Sequence, residues 1–135
     1  MRHGFTDDQI TCKTAVINYQ TPRKMKELKA FVRLTRLTDI VNKLKEQGFC
    51  CLTVFEGEGM GHYSDNRKEW SSLTHPFSHS KIAKIEMVIP DERVDKAMQI
   101  IHKKGKTGYP GDGIIYISEV SVPLKVKTLE PDKIL

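Results

Sequence analysis

Residues 26–34, KELKAFVRL, alternate polar and apolar side chains. The apolar positions of this stretch are Leu28, Ala30, Val32 and Leu34. A period of two places these four side chains on one face of the chain and leaves the polar ones on the other. The pattern therefore predicts a strand with one buried face, and the rest of the fold can be worked out from it.

The residues that follow this strand change to the period of a helix. Leu37, Val41 and Leu44 recur at helical spacing. Thr38 and Asp39 are start signals, since short polar side chains favour the first turn of a helix. Gly48 marks the end of this helix, because glycine readily ends a helix.

The second half of the chain repeats the strand and helix patterns. Further strands are predicted over residues 50–56, 82–89 and 114–120, with a short basic strand over 122–127. A second helix follows Pro90, and its apolar face is formed by Val94, Ala97, Met98 and Ile101. The order β-α-β-β-α-β predicts a ferredoxin-like α+β fold. Its helices would cover one face of the sheet, so the other face would need cover from a partner subunit.

Two segments lack any sustained period. Residues 1–24 are interpreted as a weakly ordered N-terminal extension that precedes a domain at 25–135, and a short strand over 15–19 is the alternative. Residues 57–81 are polar, with glycine at 57, 59 and 61. A loop of that length inside a compact domain is usually functional or disordered.

Length, charge and cysteine content narrow the class of protein. The chain has 135 residues, which points to one domain, and 22 Lys and Arg against 17 Asp and Glu give a net charge of +5. The basic runs are short, so a modest preference for anionic ligands is expected but no nucleic-acid partner. Three cysteines and the lack of a secretory signal or long apolar run predict reduced thiols and a cytoplasmic location.

The sequence motifs predict a binding protein and not an enzyme. The sequence contains no H-E-x-x-H, C-x-x-C or G-x-S-x-G, although a weak nucleotide hydrolase that uses Asp112 or His62 stays open. The glycine turn, residues 107–113, has glycines that allow backbone N–H groups to converge on an anion. Lys125 and Lys127 would project from one face of the basic strand and add two cations. A tight turn with a solvated basic edge is the alternative.

Residues 106–117, KTGYPGDGIIYI, contain T-G-x-x-G-D-G before a strand. This run resembles the B-loop signature of the PII nitrogen-regulatory signalling family, and the similarity extends over residues 25–128. The resemblance implies a homotrimer of ferredoxin-like domains that binds ATP, ADP or AMP in clefts between subunits and regulates a target protein. It divides the domain into a T-loop at 57–81, a B-loop at 105–113 and a C-loop at 122–130.

The resemblance also implies a set of nucleotide-binding positions. Carried over residue by residue, they are Thr53, Gly61, His62, Val88, Gly111, Asp112, Gly113, Lys125 and Lys127. The two lysines stand where the family usually has arginines. Lysine keeps the positive charge but lacks the two-pronged hydrogen bonding of a guanidinium.

The sequence departs from the family pattern in the T-loop and at the end of the B-loop. His62 and Tyr63 replace an Arg-Gln pair whose glutamine helps to bind magnesium and 2-oxoglutarate, and a tyrosine cannot supply that amide carbonyl. Magnesium and 2-oxoglutarate are therefore not expected as ligands. His75 stands at the position of the uridylylated tyrosine, so that modification is not expected, and Ile114 replaces a lysine.

The T-loop also carries the residues expected to contact a target. They are Tyr63, Trp70, His75 and Phe77. Exposed aromatic side chains in a loop can anchor a partner. The resemblance makes a membrane transporter or a component of carbon metabolism a candidate target.

A metal-responsive trimer similar to the CutA family is the alternative function. His62, His75 and His79 are potential zinc or copper ligands, although three exposed loop histidines are the favoured interpretation. Cys50 and Cys51 are expected to alternate across the second strand. At most one of the two thiols would then face a given ligand, and one would lie in the core. No metal site is predicted from this spacing.

Overall fold

The computed structural model describes residues 24–61 and 80–131. The order of elements is β1 Met25–Arg33, α1 Leu37–Glu46, β2 Thr53–Gly59, β3 Ser80–Pro90, α2 Val94–Gly105 and β4 Gly113–Val120. A 3₁₀ turn precedes each helix, at Leu34–Arg36 and Asp91–Arg93. The predicted N-terminal extension and the alternative strand at 15–19 lie outside the described residues, apart from Lys24.

The four strands form one antiparallel sheet in the order β2-β3-β1-β4. β1 is paired on both sides, so that Leu28 lies opposite Met87 of β3 and Ile117 of β4. Two helices and this strand order are those of a ferredoxin-like α+β fold. The prediction of the fold class is confirmed.

The core lies between the helices and one face of the sheet. The alternation predicted for β1 is confirmed, because Leu28, Ala30 and Val32 are all buried. In α1 the fully buried side chains are Ile40 and Leu44. Leu37 and Val41 are only partly buried against the core, and the sequence pattern had omitted Ile40.

The other face of the sheet, called the outer face below, carries exposed aromatic and apolar side chains. Phe55 is 52% exposed, Tyr116 48% and Ile114 38%. The Lys84 ammonium lies 4.7 Å from the Phe55 ring centre, and Phe31 meets Tyr116 edge-to-face at 5.8 Å. Both helices pack on the opposite face, so this surface lacks cover within the part of the chain that the structure describes.

The second strand begins later than the sequence predicts. β2 starts at Thr53, not at residue 50, and continues through Gly57 to Gly59, which shortens the predicted loop at 57–81 from its start. Cys50 and Cys51 therefore precede the strand, and both are exposed. The prediction that they alternate across a strand with one in the core is wrong. The buried residue here is Phe49, which is 1% exposed. Its burial ties the chain to the helix layer, so the next residues cross to the sheet before pairing begins.

The predicted basic strand over 122–127 is also wrong. β4 ends at Val120, which lies opposite Met25, the first residue of β1. No further β1 residue is available to pair with the chain beyond that point, and Pro123 lacks an N–H donor. The residues that follow, 121–131, are called the closing segment. They form a turn at 126–128 and one isolated bridge between Leu124 and Pro131.

Neither helix in the described part of the chain has the length and apolar character needed to cross a membrane.

Candidate functional site

The glycine turn connects the end of α2 to the start of β4. α2 ends at Gly105, and Lys106 is already extended, with φ −68° and ψ 143°. Gly108, Gly111 and Gly113 have φ values of 85°, 90° and 108°. These lie in the left-handed region that side chains disfavour. The glycines of the sequence motif therefore allow the tight turn that the motif predicts.

Gly113 has a second reason to be glycine. A Cβ atom placed on it would lie 1.8 Å from the backbone oxygen of Phe31. This close approach occurs where β4 first pairs with β1, since Gly113 lies opposite Val32. The end of the glycine turn is thus fixed directly against the central strand.

The Asp112 carboxylate organises the glycine turn from within. Its Oδ2 accepts a hydrogen bond from the Thr107 amide at 2.8 Å, and its Oδ1 accepts one from the Thr107 hydroxyl at 2.5 Å. The Arg33 Nε donates to the same Oδ1 at 2.9 Å. The Thr107 Oγ1 in turn accepts a hydrogen bond from the Tyr109 amide at 3.2 Å. One carboxylate therefore joins both ends of the turn to β1.

These contacts control the charge of Asp112. Burial acts to raise the pKa of the carboxyl group, but the Thr107 hydroxyl and amide and the Arg33 guanidinium outweigh it and hold the pKa below its usual range. Asp112 is therefore ionised at neutral pH. Its charge is compensated by Arg33, so it does not present an unpaired negative charge to an anion at the turn.

The sequence pattern gave no indication of Arg33, although this residue holds the turn together. Its side chain is 8% exposed, and besides Asp112 it donates to the backbone oxygens of Pro110 and Tyr109. Arg33 and Asp112 are 79 residues apart in sequence. A charged residue at the end of an alternating strand normally indicates a solvent-facing position, so no local signal identified this contact.

A cleft of about 360 Å³ opens beside the glycine turn. Its lining combines the turn with α2 and the start of β4: Phe31, Val32, Ile101, His102, Gly105, Lys106, Asp112, Gly113, Ile114 and Ile115. The floor is largely apolar, and His102 and Lys106 contribute the basic groups. A cleft of this kind can accept a flat apolar group while the turn and Lys106 face an anionic one.

The predicted nucleotide-binding residues fall into two groups at opposite ends of the sheet. Gly111, Asp112 and Gly113 lie in the glycine turn, and Gly61 follows β2 at the same end, with φ 71°. Thr53 and Val88 lie on the outer face toward the other end. Val88 is opposite Glu27, five residues along β1 from the partner of Gly113, a distance of about 17 Å. One chain does not bring the two groups together.

The remaining predicted residues are placed less favourably or cannot be described. Lys125 and Lys127 are exposed in the closing segment, which follows the far end of β4, and they do not alternate along a strand. The chain turns at 126–128 instead of forming the strand from which both lysines were expected to project. His62 and the predicted target-binding residues Tyr63, Trp70, His75 and Phe77 lie outside the described residues.

Metal-binding geometry is limited in the same way. No group of three or more His, Cys, Asp or Glu side chains within residues 24–61 and 80–131 is arranged to hold a metal ion. His62, His75 and His79 fall outside those ranges. The thiols of Cys50 and Cys51 do lie close together, with their sulfur atoms 3.6 Å apart.

Comparison with known proteins gives a consistent result. The family model described as Nitrogen regulatory protein P-II matches residues 25–130. Nitrogen regulatory protein P-II 1 of Escherichia coli (strain K12) is 30% identical over 108 residues, which cover 80% of this chain and 96% of that protein. Nitrogen regulatory protein P-II of Rhodobacter capsulatus is 30% identical over 106 residues, or 78% of this chain and 95% of that protein.

A solved structure shares the fold. The crystal structure of Arabidopsis thaliana PII bound to citrate matches with a TM-score of 0.65 over 82% of this chain and 91% of that chain. The sequence identity is 23%.

Proposed function

This chain belongs to the nitrogen regulatory protein P-II family and is a signal-transduction regulator of that family, and we propose that its effector is an adenine nucleotide. ATP, ADP or AMP would bind between subunits of a homotrimer. The bound nucleotide would change the T-loop and so control docking to a target protein. We propose this binding role in place of catalysis.

The glycine turn is the observation that carries this proposal. All three of its glycines have positive φ, and the Asp112–Arg33 pair holds the turn in place before any ligand arrives. A turn fixed in advance loses little conformational entropy on binding. Its N–H groups and Lys106 can then contact phosphate oxygens at the mouth of the cleft. In this arrangement Asp112 positions the turn, and Gly111 and Gly113 supply the close backbone approach.

The separation of the candidate residues supports a site made by two copies of the chain. The glycine turn and Gly61 lie at one end of the sheet, whereas Thr53 and Val88 lie toward the other end on the outer face. A second copy packed on that face would bring its own Thr53 and Val88 to the first copy's turn. The exposed Phe55, Ile114 and Tyr116 make the outer face suitable for such packing.

The position of the T-loop suggests how a bound nucleotide would be read. The chain leaves β2 at Gly59, and Met60 and Gly61 follow at the same end of the sheet as the glycine turn. Phosphates held there would contact the base of the loop. A nucleotide can shift the loop only by its different affinity for the loop conformations, and one additional phosphate supplies such a difference. The target would then be recognised through Tyr63, Trp70, His75 and Phe77.

The T-loop departures shape the rest of the proposal. With His62 and Tyr63 in place of the Arg-Gln pair, we propose a sensor that does not depend on magnesium or 2-oxoglutarate. With His75 at the position of the modified tyrosine, we propose regulation without uridylylation.

Calorimetry with ATP, ADP, AMP and cyclic AMP tests the proposal. At least one of the first three should bind, and the Lys125→Ala, Lys127→Ala double variant should bind it about tenfold or more weakly, since a hydrogen bond to a charged group contributes about 1.5–3 kcal/mol. The matched control is Lys96→Ala with Lys103→Ala. It removes the same charge from the groove between the two helices, so it should bind as the parent does.

The outcomes separate the parts of the proposal. If none of the nucleotides binds, the proposed effector is wrong. If the two double variants bind equally well, the closing segment does not contact the phosphates. Zinc or copper titration of the same protein addresses the metal-responsive alternative, which requires metal binding without nucleotide binding.

A further inference from the structure

The segment that joins α1 to β2 carries two adjacent cysteines on the surface. Cys50 and Cys51 are both exposed, and their sulfur atoms lie 3.6 Å apart. Residues that alternate in a strand would direct neighbouring thiols to opposite faces. These thiols instead lie side by side, because β2 begins only at Thr53.

The backbone on the helix side of this pair is firmly held. The Phe49 side chain is buried in the core, and its amide donates to the Leu44 oxygen at 2.9 Å. The Arg93 guanidinium lies 4.0 Å from the centre of the Phe49 ring and donates to the Gln47 oxygen at 2.8 Å. Gly48 completes the turn with φ 85°. The chain therefore enters the cysteine pair from a fixed direction.

The backbone on the sheet side of the cysteine pair is held as well. Thr53 is the first residue of β2 and lies opposite Glu86 of β3. Only Cys50, Cys51 and Leu52 separate this anchor from Phe49, and Leu52 is itself partly buried against the core. A segment this short between two fixed points has few alternative conformations. The two thiols are thus arranged before any ligand binds.

The two thiols are in contact at a sulfur–sulfur distance that suits chelation of one metal ion. Two thiolates on a tetrahedral zinc-type ion, with metal–sulfur bonds of about 2.3 Å, lie about 3.8 Å apart. A disulfide needs sulfur atoms about 2.05 Å apart and Cα atoms usually about 4.4–6.8 Å apart, whereas adjacent residues have Cα atoms only about 3.8 Å apart. The observed 3.6 Å is close to the first arrangement and far from the second.

We propose that Cys50 and Cys51 form a dithiol site that chelates a soft, thiophilic divalent cation of the zinc or cadmium type. Both thiols lose their protons as the two metal–sulfur bonds form, and water or a small thiol completes the coordination. With only two ligands from the chain, the site is open and its ion exchangeable, unlike a four-ligand structural site. The site does not depend on the proposed nucleotide function.

Cadmium titration of the reduced, full-length protein tests the site, with cadmium–thiolate ultraviolet absorption as the readout. We expect one ion per chain. Cys50→Ser and Cys51→Ser should each weaken binding about a hundredfold, because the second thiolate binds intramolecularly at a high effective concentration. Cys12→Ser is the matched control and should bind cadmium as the parent does. Circular dichroism should show the same folded signal for all variants.

Three results would overturn the proposal. A single-serine variant of the pair with the parent's affinity would show that the thiols do not chelate together. One ion per two chains would replace the open site with one shared between chains. A mass lower by two hydrogens in aerobic protein, mapped to Cys50 and Cys51, would show that the pair forms a disulfide instead.

Discussion

The glycine turn and the closing segment both carry candidate phosphate contacts, yet they differ in the contacts that hold them. The turn is tied to β1 by the Arg33–Asp112 pair and by the close packing of Gly113 on Phe31. Within the closing segment, the Lys125 amide donates a hydrogen bond to the Glu130 oxygen and the Leu129 amide donates one to the Lys125 oxygen. Its Val126 side chain is 98% exposed.

This difference bears on how a site could be divided between the two regions. A rigid turn supplies directional N–H donors at small entropic cost, because its conformation is already determined. The lysines of the closing segment supply charge, which requires less exact placement, and their exposed side chains lose rotamer freedom when they bind. Substitutions should therefore affect stability strongly in the glycine turn and weakly in the closing segment.

Alanine substitution at three glycines should give the largest effects and rank them by cause. Gly113→Ala combines a positive φ with a clash against the Phe31 oxygen, so it should lower the free energy of unfolding by about 3 kcal/mol or more. Gly108→Ala has the positive φ but nothing within 4 Å, so about 1 kcal/mol is expected. Gly57→Ala has neither and should be stabilising by about 0.5 kcal/mol.

Denaturant unfolding at one protein concentration measures this series. Loss of a cooperative transition in Gly113→Ala would agree with the expected order. A Gly113→Ala protein within 1 kcal/mol of the Gly108→Ala protein would show that β4 can move away from β1, and the turn would then be no more firmly held than the closing segment.

The Asp112 carboxylate should give the next largest effect, and one that depends on pH. Asp112→Asn should lower the free energy of unfolding by about 2 kcal/mol at neutral pH, since it weakens a hydrogen-bonded ion pair with the nearly buried Arg33. The folded pKa of Asp112 is below its unfolded value. Its stabilisation is therefore present above the unfolded pKa and lost as the pH falls through the folded one.

Unfolding of the parent and of Asp112→Asn should be compared from neutral pH into the acid range. The difference between the two proteins should be constant above the usual aspartate range and shrink below it. Asp95→Asn in the first turn of α2 is the matched control for loss of one carboxylate. A constant difference at all pH values would show that Asp112 contributes through its shape and not its charge.

The elements best predicted from the sequence are those whose pattern records burial directly. The alternation in β1 and most of the apolar face predicted for α2 are effects of facing one core, so they persist in the structure, whereas the spacing predicted for α1 omitted Ile40. The glycine turn was predictable for a related reason, since a G-D-G run before a strand indicates a backbone with positive φ. Even so, the sequence placed Asp112 in the site without its partner, because Arg33 belongs to a strand far away in the chain.

The errors arise where pairing partners decide the structure. Residues 50–52 have the composition of a strand, but the burial of Phe49 and the Arg93 contacts commit them to the crossing from helix to sheet. Residues 122–127 have strand composition too, but β1 begins at Met25, opposite Val120, so no residue of β1 lies beside them. Composition indicates that a segment can form a strand, but the strand forms only where a neighbouring strand can pair with it.

The smallest effect is expected at Leu129, the non-glycine residue with positive φ among those described, at 55°. Its side chain is 57% exposed. Leu129→Val places a β-branched residue in a conformation it strongly disfavours. At Gly113 such strain could be relieved only by moving β4 away from β1. At Leu129 the closing segment can instead open, and the cost cannot exceed the free energy of that local opening.

Leu129→Val should therefore change the global free energy of unfolding by less than about 1 kcal/mol, while amide hydrogen exchange at Lys125 and Leu129 becomes faster. Leu129→Gly, the matched relief of strain, should slow exchange at these amides or leave it unchanged. A global loss as large as that of Gly113→Ala would contradict the comparison. It would mean that the closing segment is integrated into the core, and that Lys125 and Lys127 are held as firmly as the turn they are proposed to assist.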